Sequence, residues 1–357
     1  MKILILGGTI FLGRHLTEAF LSHGHEVTHY NRGLQNPRLF PEVEKLRGDR
    51  DRDLLPLRGR SWDAVVDTCG YFPRQVAAAT RALHPHTPLY VFVSSVNQYA
   101  DLSISGVDES HPGATAGFQA EQIDPPLSPE TYGPLKAACE KAVRQVYGDR
   151  ALVVRPGCLV GPYDQAHRFP YWVRRAAAGG PMLVPGRLDQ LWQIIDVRDA
   201  AEWIVRMLEE GRTGTFNVVG PEQPISADRL VQELASVAGI DAQPIWVDTG
   251  FLRGEPGGSR WLDLAEWSNL PPTMAHLYSI DNAHAVATGL CFRPLAATAK
   301  DVLSWLAQRA PQEADALAPE RESDLLRAWD RRAMTKPCRT YTRDQTKKRH
   351  VADKTHY

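Results

Sequence analysis

The chain has 357 residues, 43% of them hydrophobic, with 41 basic against 42 acidic side chains for a formal net charge of −1. That is ample for one large core or two ordinary ones, and so balanced a charge offers no general attraction to nucleic acid or to an anionic membrane. Cys69, Cys139, Cys158, Cys291 and Cys338 are odd in number, widely spaced and free of any Cys-x-x-Cys, so neither a disulfide framework nor a zinc site is indicated and a reducing, cytoplasmic setting is expected.

Taken in chain order, the first element is the apolar run Ile3-Leu4-Ile5-Leu6, which Gly7 and Gly8 cut too early for a signal peptide. No later stretch approaches the length of a membrane span. Strand-like runs recur at 26–30, 64–67, 89–94 and 151–155, with 14–22 and 75–83 reading as helices between them. This alternation predicts an α/β fold, a doubly wound parallel sheet with right-handed crossovers. From about Gly161 the pattern loosens, and proline and tryptophan become frequent, as in Pro170-Tyr171-Trp172 and from Trp246 to Trp267. A smaller lid over a pocket is the expectation there. The segment 335–357 is basic and poor in apolar groups, so a solvated tail is expected.

Gly7-Gly8-Thr9-Ile10-Phe11-Leu12-Gly13 follows the first strand directly, which is the layout of a dinucleotide site. Gly7 and Gly8 let main-chain N–H groups approach a pyrophosphate, Gly13 lets the helix lie close to the strand, and the helix N-terminus presents its positive end. Ile10 stands where the middle glycine of the usual fingerprint belongs. Downstream, Tyr132 and Lys136 are four apart on a helix-like segment and share one face. An ammonium beside a phenol stabilises the phenolate and makes it a useful acid/base. Ser94 and Ser95 end the run from Leu89, at the strand end that faces the crevice of an open parallel sheet, so Ser95 is placed to hydrogen-bond a substrate oxygen.

Together these three segments resemble the extended, epimerase/dehydratase-like branch of the short-chain dehydrogenase/reductase superfamily, over roughly residues 1 to 310. Gly48-Asp49, Arg155-Pro156-Gly157 running to Gly161-Pro162, Asp196-Val197-Arg198-Asp199 and Phe216-Asn217 to Gly220 follow in that branch's order. The resemblance implies a Rossmann-type sheet with a smaller interleaved C-terminal substrate-binding domain. The nucleotide-binding part would be 1–160 with about 193–220, and the lid 161–192 with 221–330. Ser95 would position substrate, Tyr132 would be the acid/base, and Lys136 would lower the tyrosine pKa and hold the nicotinamide ribose. The cofactor site would comprise residues 7–13 with Asn31, Arg32, Asp49 at the adenine, Cys69, Gly70, Ser94, Tyr132, Lys136 and Pro156. The Gly-Gly-Thr-x-Phe-Leu-Gly form with Asn31-Arg32-Gly33 is most similar to an atypical subgroup that also includes plastid RNA-associated proteins.

At the end of the second strand, where an NAD-selective site offers a carboxylate to the ribose, this chain has neutral Asn31, and Arg32 can pair with a 2′-phosphate. NADP is therefore favoured over NAD. Ser95 is followed by Val96-Asn97 and not by the acidic pair of the sugar dehydratases, so elimination lacks its acid and base. Cys158 replaces the asparagine that nucleotide-sugar enzymes of this branch carry, which argues against a nucleotide-diphosphate sugar. Asn97, Tyr99, Cys158, Arg168, Trp172 and Gln193 are the candidate substrate contacts, with Cys158 as a small apolar wall and not a nucleophile. The histidines show no His-x-x-x-His, and no metal is expected. The reading is a hydride-transferring oxidoreductase or epimerase acting on a small polyol-like or sugar-like metabolite, either alone or as a homodimer. Its rival is a non-catalytic dinucleotide-binding or RNA-associated protein.

Overall fold

In a computed structural model, residues 1–115, 125–239, 241–309 and 319–335 are described. The basic tail beyond 335 lies outside the described residues. Seven parallel strands form the central sheet: β1 (Lys2–Leu6), β2 (Glu26–Asn31), β3 (Glu44–Arg47), β4 (Ala64–Asp67), β5 (Leu89–Val93), β6 (Ala151–Pro156) and β11 (Gly214–Val218). Their spatial order is β11-β6-β5-β4-β1-β2-β3, so the chain reverses its winding between β1 and β4. In open α/β sheets that reversal opens a ligand crevice at the strand carboxyl ends.

Alternation along β1 shows how the layers are built. Ile3 and Ile5 enter one core with α1 (Phe11–Ser22) and α5 (Val197–Glu209). Leu4 and Leu6 enter the opposite core with α2 (Pro73–Leu83) and α3 (Pro129–Tyr147). A strand buried on both faces must be apolar throughout, which is why β1 reads as a continuous run. β3, Glu-Lys-Leu-Arg, escapes a hydrophobic pattern because it is a short, charged edge strand.

Beyond β6 the chain leaves the sheet through β7 (Cys158–Val160), α4 (Arg168–Ala177), β8 (Gly180–Pro185) and β9 (Leu191–Trp192). β10 (Ile194–Asp196) pairs with β7 and leads through α5 back to β11 at the edge of the central sheet. β12 (Ile225–Ser226), α6 (Ala227–Ala238), β13 (Ala242–Val247), α7 (Thr249–Gly254) and α8 (Ser259–Leu264) follow, then α9 (Ala283–Ala287), α10 (Leu295–Ala307) and α11 (Pro319–Thr335). A separate core gathers Trp172, Trp192 and Trp267 with α4, α6 and α10, and a further one joins β8, α7, α8 and α11. The tryptophan-rich region is thus built around its own apolar centre.

Candidate active site

The glycine loop has the geometry a pyrophosphate needs. Gly7 and Gly8 stand at φ of +112° and +91°, and a β-carbon at Gly8 would lie 2.5 Å from the His29 ring beneath it. At Gly13 a β-carbon would come within 2.9 Å of the Gly8 nitrogen, so the helix lies directly on the loop. Ile10, the residue in the middle-glycine position, has ordinary extended angles (φ −127°, ψ 137°), so no glycine is required there; the positive φ has moved to Phe11. Ile10 caps α1 without a side-chain hydrogen bond, and no acidic residue sits in the first turn. The amides of that turn keep their unmet hydrogen-bonding capacity and positive potential, which suits an anion. Thr9 is buried, its carbonyl accepting from Asn36 Nδ2 at 2.9 Å, and Leu12 packs into the core.

Asn31 is tied down on several sides. Its Nδ2 donates to the Gly7 carbonyl at 2.7 Å, and its Oδ1 accepts from the Gly33 amide at 2.9 Å and from Arg47. Its side chain therefore joins the end of β2 to the glycine loop. Arg32 is exposed beside it. Asp49 accepts from the Asp51 amide at 3.1 Å and shapes its own turn. Cys69 hydrogen-bonds the Leu6 carbonyl through Sγ, and at Gly70 a β-carbon would meet the Phe92 ring at 2.7 Å. Pro156 is buried at the end of β6.

Ser95 lies two residues beyond β5 and opens a short turn, where its Oγ accepts from the Asn97 amide at 3.2 Å. α3 enters through a reciprocal capping box between Ser128 and Thr131, with Pro129 at its first position, which fixes the start of the helix just before Tyr132. Tyr132 lines the same cavity as Ser95. Burial raises the Tyr132 pKa above its ordinary value, and the neighbouring Ser95 hydroxyl works against that rise. Lys136 is buried one turn on, with Nζ donating to the carbonyls of Gly70 at 2.9 Å and Val93 at 2.6 Å. Burial lowers its pKa. Two of the three ammonium donors are thereby engaged, and one remains for another acceptor.

Ser94 is turned away from the crevice, its Oγ donating to Glu140 at 2.6 Å. Glu140 also accepts from Arg155 Nε at 3.0 Å and Nη2 at 2.8 Å, and Arg155 donates to the Tyr99 hydroxyl at 2.9 Å. Tyr99 in turn donates to Asn217 at 2.7 Å. This buried chain holds the end of β5 from behind. Tyr99 belongs to it and not to the cavity wall, and Trp172 is fully buried with Nε1 donating to the Leu264 carbonyl at 2.9 Å. Asn97, Cys158, Arg168 and Gln193 do line a cavity of about 810 Å³ with Ser95 and Tyr132. Gln193 is clasped by the Ile280 backbone, at 2.9 Å through each amide atom, and burial pushes the Cys158 thiol up to about 12, far from a thiolate nucleophile. Arg168 is ion-paired with Glu266 across the cavity.

Glu140 and Gly133 were not singled out by sequence, yet both act on the site. Gly133 follows Tyr132, and a β-carbon there would stand 2.0 Å from the Asn97 carbonyl oxygen. Glu140 lies one turn beyond Lys136, a spacing that could have marked it.

Residues 63–220 match the model of the NAD dependent epimerase/dehydratase family. That segment is a little under half of the chain, and over it the chain is similar to the family. It is 26% identical over 262 residues to chloroplast stem-loop binding protein of 41 kDa b from Arabidopsis thaliana, covering 67% of this chain and 64% of that one, so it spans just under two thirds of that relative. It is 27% identical to 2'-dehydrokanamycin reductase from Streptomyces kanamyceticus, over 69% of each chain. Among solved structures, Bordetella bronchiseptica WbmH in complex with NAD+ aligns at TM-score 0.64 and 17% identity, over 88% of this chain and 99% of that one. Human epimerase family protein SDR39U1 with NADPH aligns at 0.58 and 21%, over 85% and 99%. These likenesses establish the Rossmann-type fold. Among the described residues no helix is long and apolar enough to cross a membrane.

Proposed function

We propose that this chain is a member of that family and transfers hydride reversibly between NADP or NAD and a secondary alcohol or ketone of a small, polyol-like or sugar-like metabolite, with Tyr132 as acid/base. The observation that carries this reading is the placing of Ser95 and Tyr132 on one cavity wall, with Lys136 buried one helical turn on from Tyr132. A protein that only binds a dinucleotide has no use for a phenol so placed. The bound nicotinamide would supply or accept the hydride. In reduction, Ser95 and Tyr132 hold the substrate carbonyl oxygen, and the Tyr132 hydroxyl gives it a proton as the alcohol forms. In oxidation, ionised Tyr132 takes the proton from the substrate hydroxyl. The free donor of Lys136 suits a ribose hydroxyl, and the amides at the start of α1 suit the pyrophosphate.

The cavity bears on the substrate. The charged side chains among its described lining are Arg168, Asp263 and Glu266, and Arg168 is already paired with Glu266. A diphosphate would find no unpaired cation in that lining, so we infer a substrate without one, consistent with a relative named as a reductase of 2'-dehydrokanamycin. NADP is the favoured cofactor because Asn31 is neutral and Arg32 exposed beside it. The division into a nucleotide-binding part (1–160 with about 193–220) and a lid (161–192 with 221–330) follows the same reading.

The test is a screen of keto-sugars and keto-cyclitols with NADPH and NADH, followed by Tyr132→Phe. That variant should lose about two to four orders of magnitude in turnover while still binding cofactor. Near wild-type turnover would remove Tyr132 from its role. A second reading, RNA association, is favoured by the Arabidopsis relative; binding of a stem-loop RNA by a protein that binds none of the four nicotinamide dinucleotides at millimolar concentration would establish it instead.

A further inference from the structure

At the amino ends of the central strands, opposite the crevice, α1 ends in Ser22-His23-Gly24-His25. Gly24 takes φ +76°, the His25 amide bonds back to the Phe20 carbonyl at 2.9 Å, and the His23 amide to Ala19 at 3.1 Å. This helix-ending turn fixes both histidines side by side, their rings stacked with 6.3 Å between centroids. α5 packs against α1 and brings two glutamates seven residues apart to the same place. His23 Nδ1 lies 3.1 Å and His25 Nε2 3.0 Å from one oxygen of Glu209.

We propose that His23, His25 and Glu209 form a binding site for a divalent transition-metal ion of the zinc class, clipping α1 to α5. Donor atoms from these three residues all lie within 4.8 Å of one another. Two imidazole nitrogens and a carboxylate, with one position left for water, form a common zinc donor set, and bonds of about 2 Å would set such donors roughly 3.3 Å apart. The groups behind the donors are also in place. His23 presents its other nitrogen, Nε2, to Glu202 at 3.1 Å, the carboxylate–histidine arrangement that fixes the tautomer leaving Nδ1 free for a metal. His25 is nearly buried, its ring edge-on to Phe20, so it arrives oriented. Its Nδ1 lies 3.1 Å from the Met1 nitrogen, a second contact that holds the ring in place. The pattern is His-x-His joined to glutamates almost two hundred residues away, which a search for His-x-x-x-His passes over.

Titrating the EDTA-treated full chain with Zn2+ and with Co2+ tests this. The expected result is one bound equivalent, visible d–d bands from Co2+, and a melting temperature that rises with Zn2+. His25→Ala and Glu209→Gln should each abolish the rise, and Glu202→Gln should weaken binding by about 10- to 100-fold. Because each variant is compared with and without Zn2+, a loss of intrinsic stability does not obscure the result. No binding at 0.1 mM Zn2+, roughly a thousandfold or more above the dissociation constant of a structural site, would overturn the proposal. Binding unaffected by His25→Ala and Glu209→Gln would overturn it equally, placing the ion elsewhere.

Discussion

Gly133→Ala tests the idea that the helix must touch the Ser95 turn for Tyr132 to work. The added β-carbon would stand 2.0 Å from the backbone oxygen of Asn97, whereas carbon and oxygen ordinarily approach no closer than about 3.3 Å. Backbone cannot rotate aside, so α3 and the turn must part by roughly 1 Å, a misplacement that can reduce turnover by about 10²-fold. Stability should respond far less. Alanine is favoured over glycine inside a helix by about 1 kcal/mol, and overpacking costs about 1–3, so the net loss stays near or below 2 kcal/mol. Cofactor titration and thermal melting should therefore remain near wild type while turnover on the substrate found by the screen falls. Without a substrate, ultraviolet titration of the phenol is the assay. Moving Ser95 away from the phenol should shift Tyr132 ionisation to higher pH, because the neighbouring Ser95 hydroxyl is what opposes the effect of burial. Combining the change with Tyr132→Phe should add no further loss of turnover, since both act through one hydroxyl. Turnover within twofold of wild type, or a fully additive double variant, would refute the reasoning.

Arg32→Ala should weaken NADPH by about 1.5–3 kcal/mol, the range of a charged hydrogen bond, and leave NADH almost unchanged in calorimetric titration; equal weakening of both would assign Arg32 to the loop's structure. Burial holds the His29 imidazole at about 4, so its neutral form contributes stability fully above an unfolded value near 6.5 and loses it as pH falls towards 4, about 3 kcal/mol over that window. His29→Gln should flatten this acid-side loss in urea denaturation at successive pH values, and an unchanged slope would locate the acid sensitivity in other groups.

The parts of the fold legible in the sequence are those where one residue type has one physical use. β1, β4, β5 and β6 lie within a residue or so of the expected bounds because a sheet covered on both faces favours nearly continuous apolar runs, whereas β2, Glu-Val-Thr-His-Tyr-Asn, is marked by its β-branched and aromatic residues and buries Thr28 and His29. The glycine loop was legible because positive φ leaves few alternatives to glycine, although Ile10 carries extended angles that tolerate any side chain and Phe11 takes the unusual turn. β3 was not legible, since an edge strand with four mostly charged residues has no hydrophobic signature.

Side-chain direction at the site was harder to anticipate. Ser94 and Ser95 are neighbours in an extended segment and must point to opposite sides, so only one can face the substrate; the other is drawn to Glu140, which the sequence presents as an ordinary helical acid. Tyr99 looks like a pocket residue until Arg155 and Asn217, from two further strands, claim its hydroxyl. The same holds for Lys136. Position alone pairs it with Tyr132, yet its ammonium is held by the carbonyls of Gly70 and Val93, which fix it as a rigid donor behind the tyrosine. A buried ammonium with two donors engaged is costly to leave with the third unmet. The rings of Phe92 and Tyr71, 4.8 Å and 5.2 Å from Nζ, offer that third donor a partial electrostatic partner and lessen the cost.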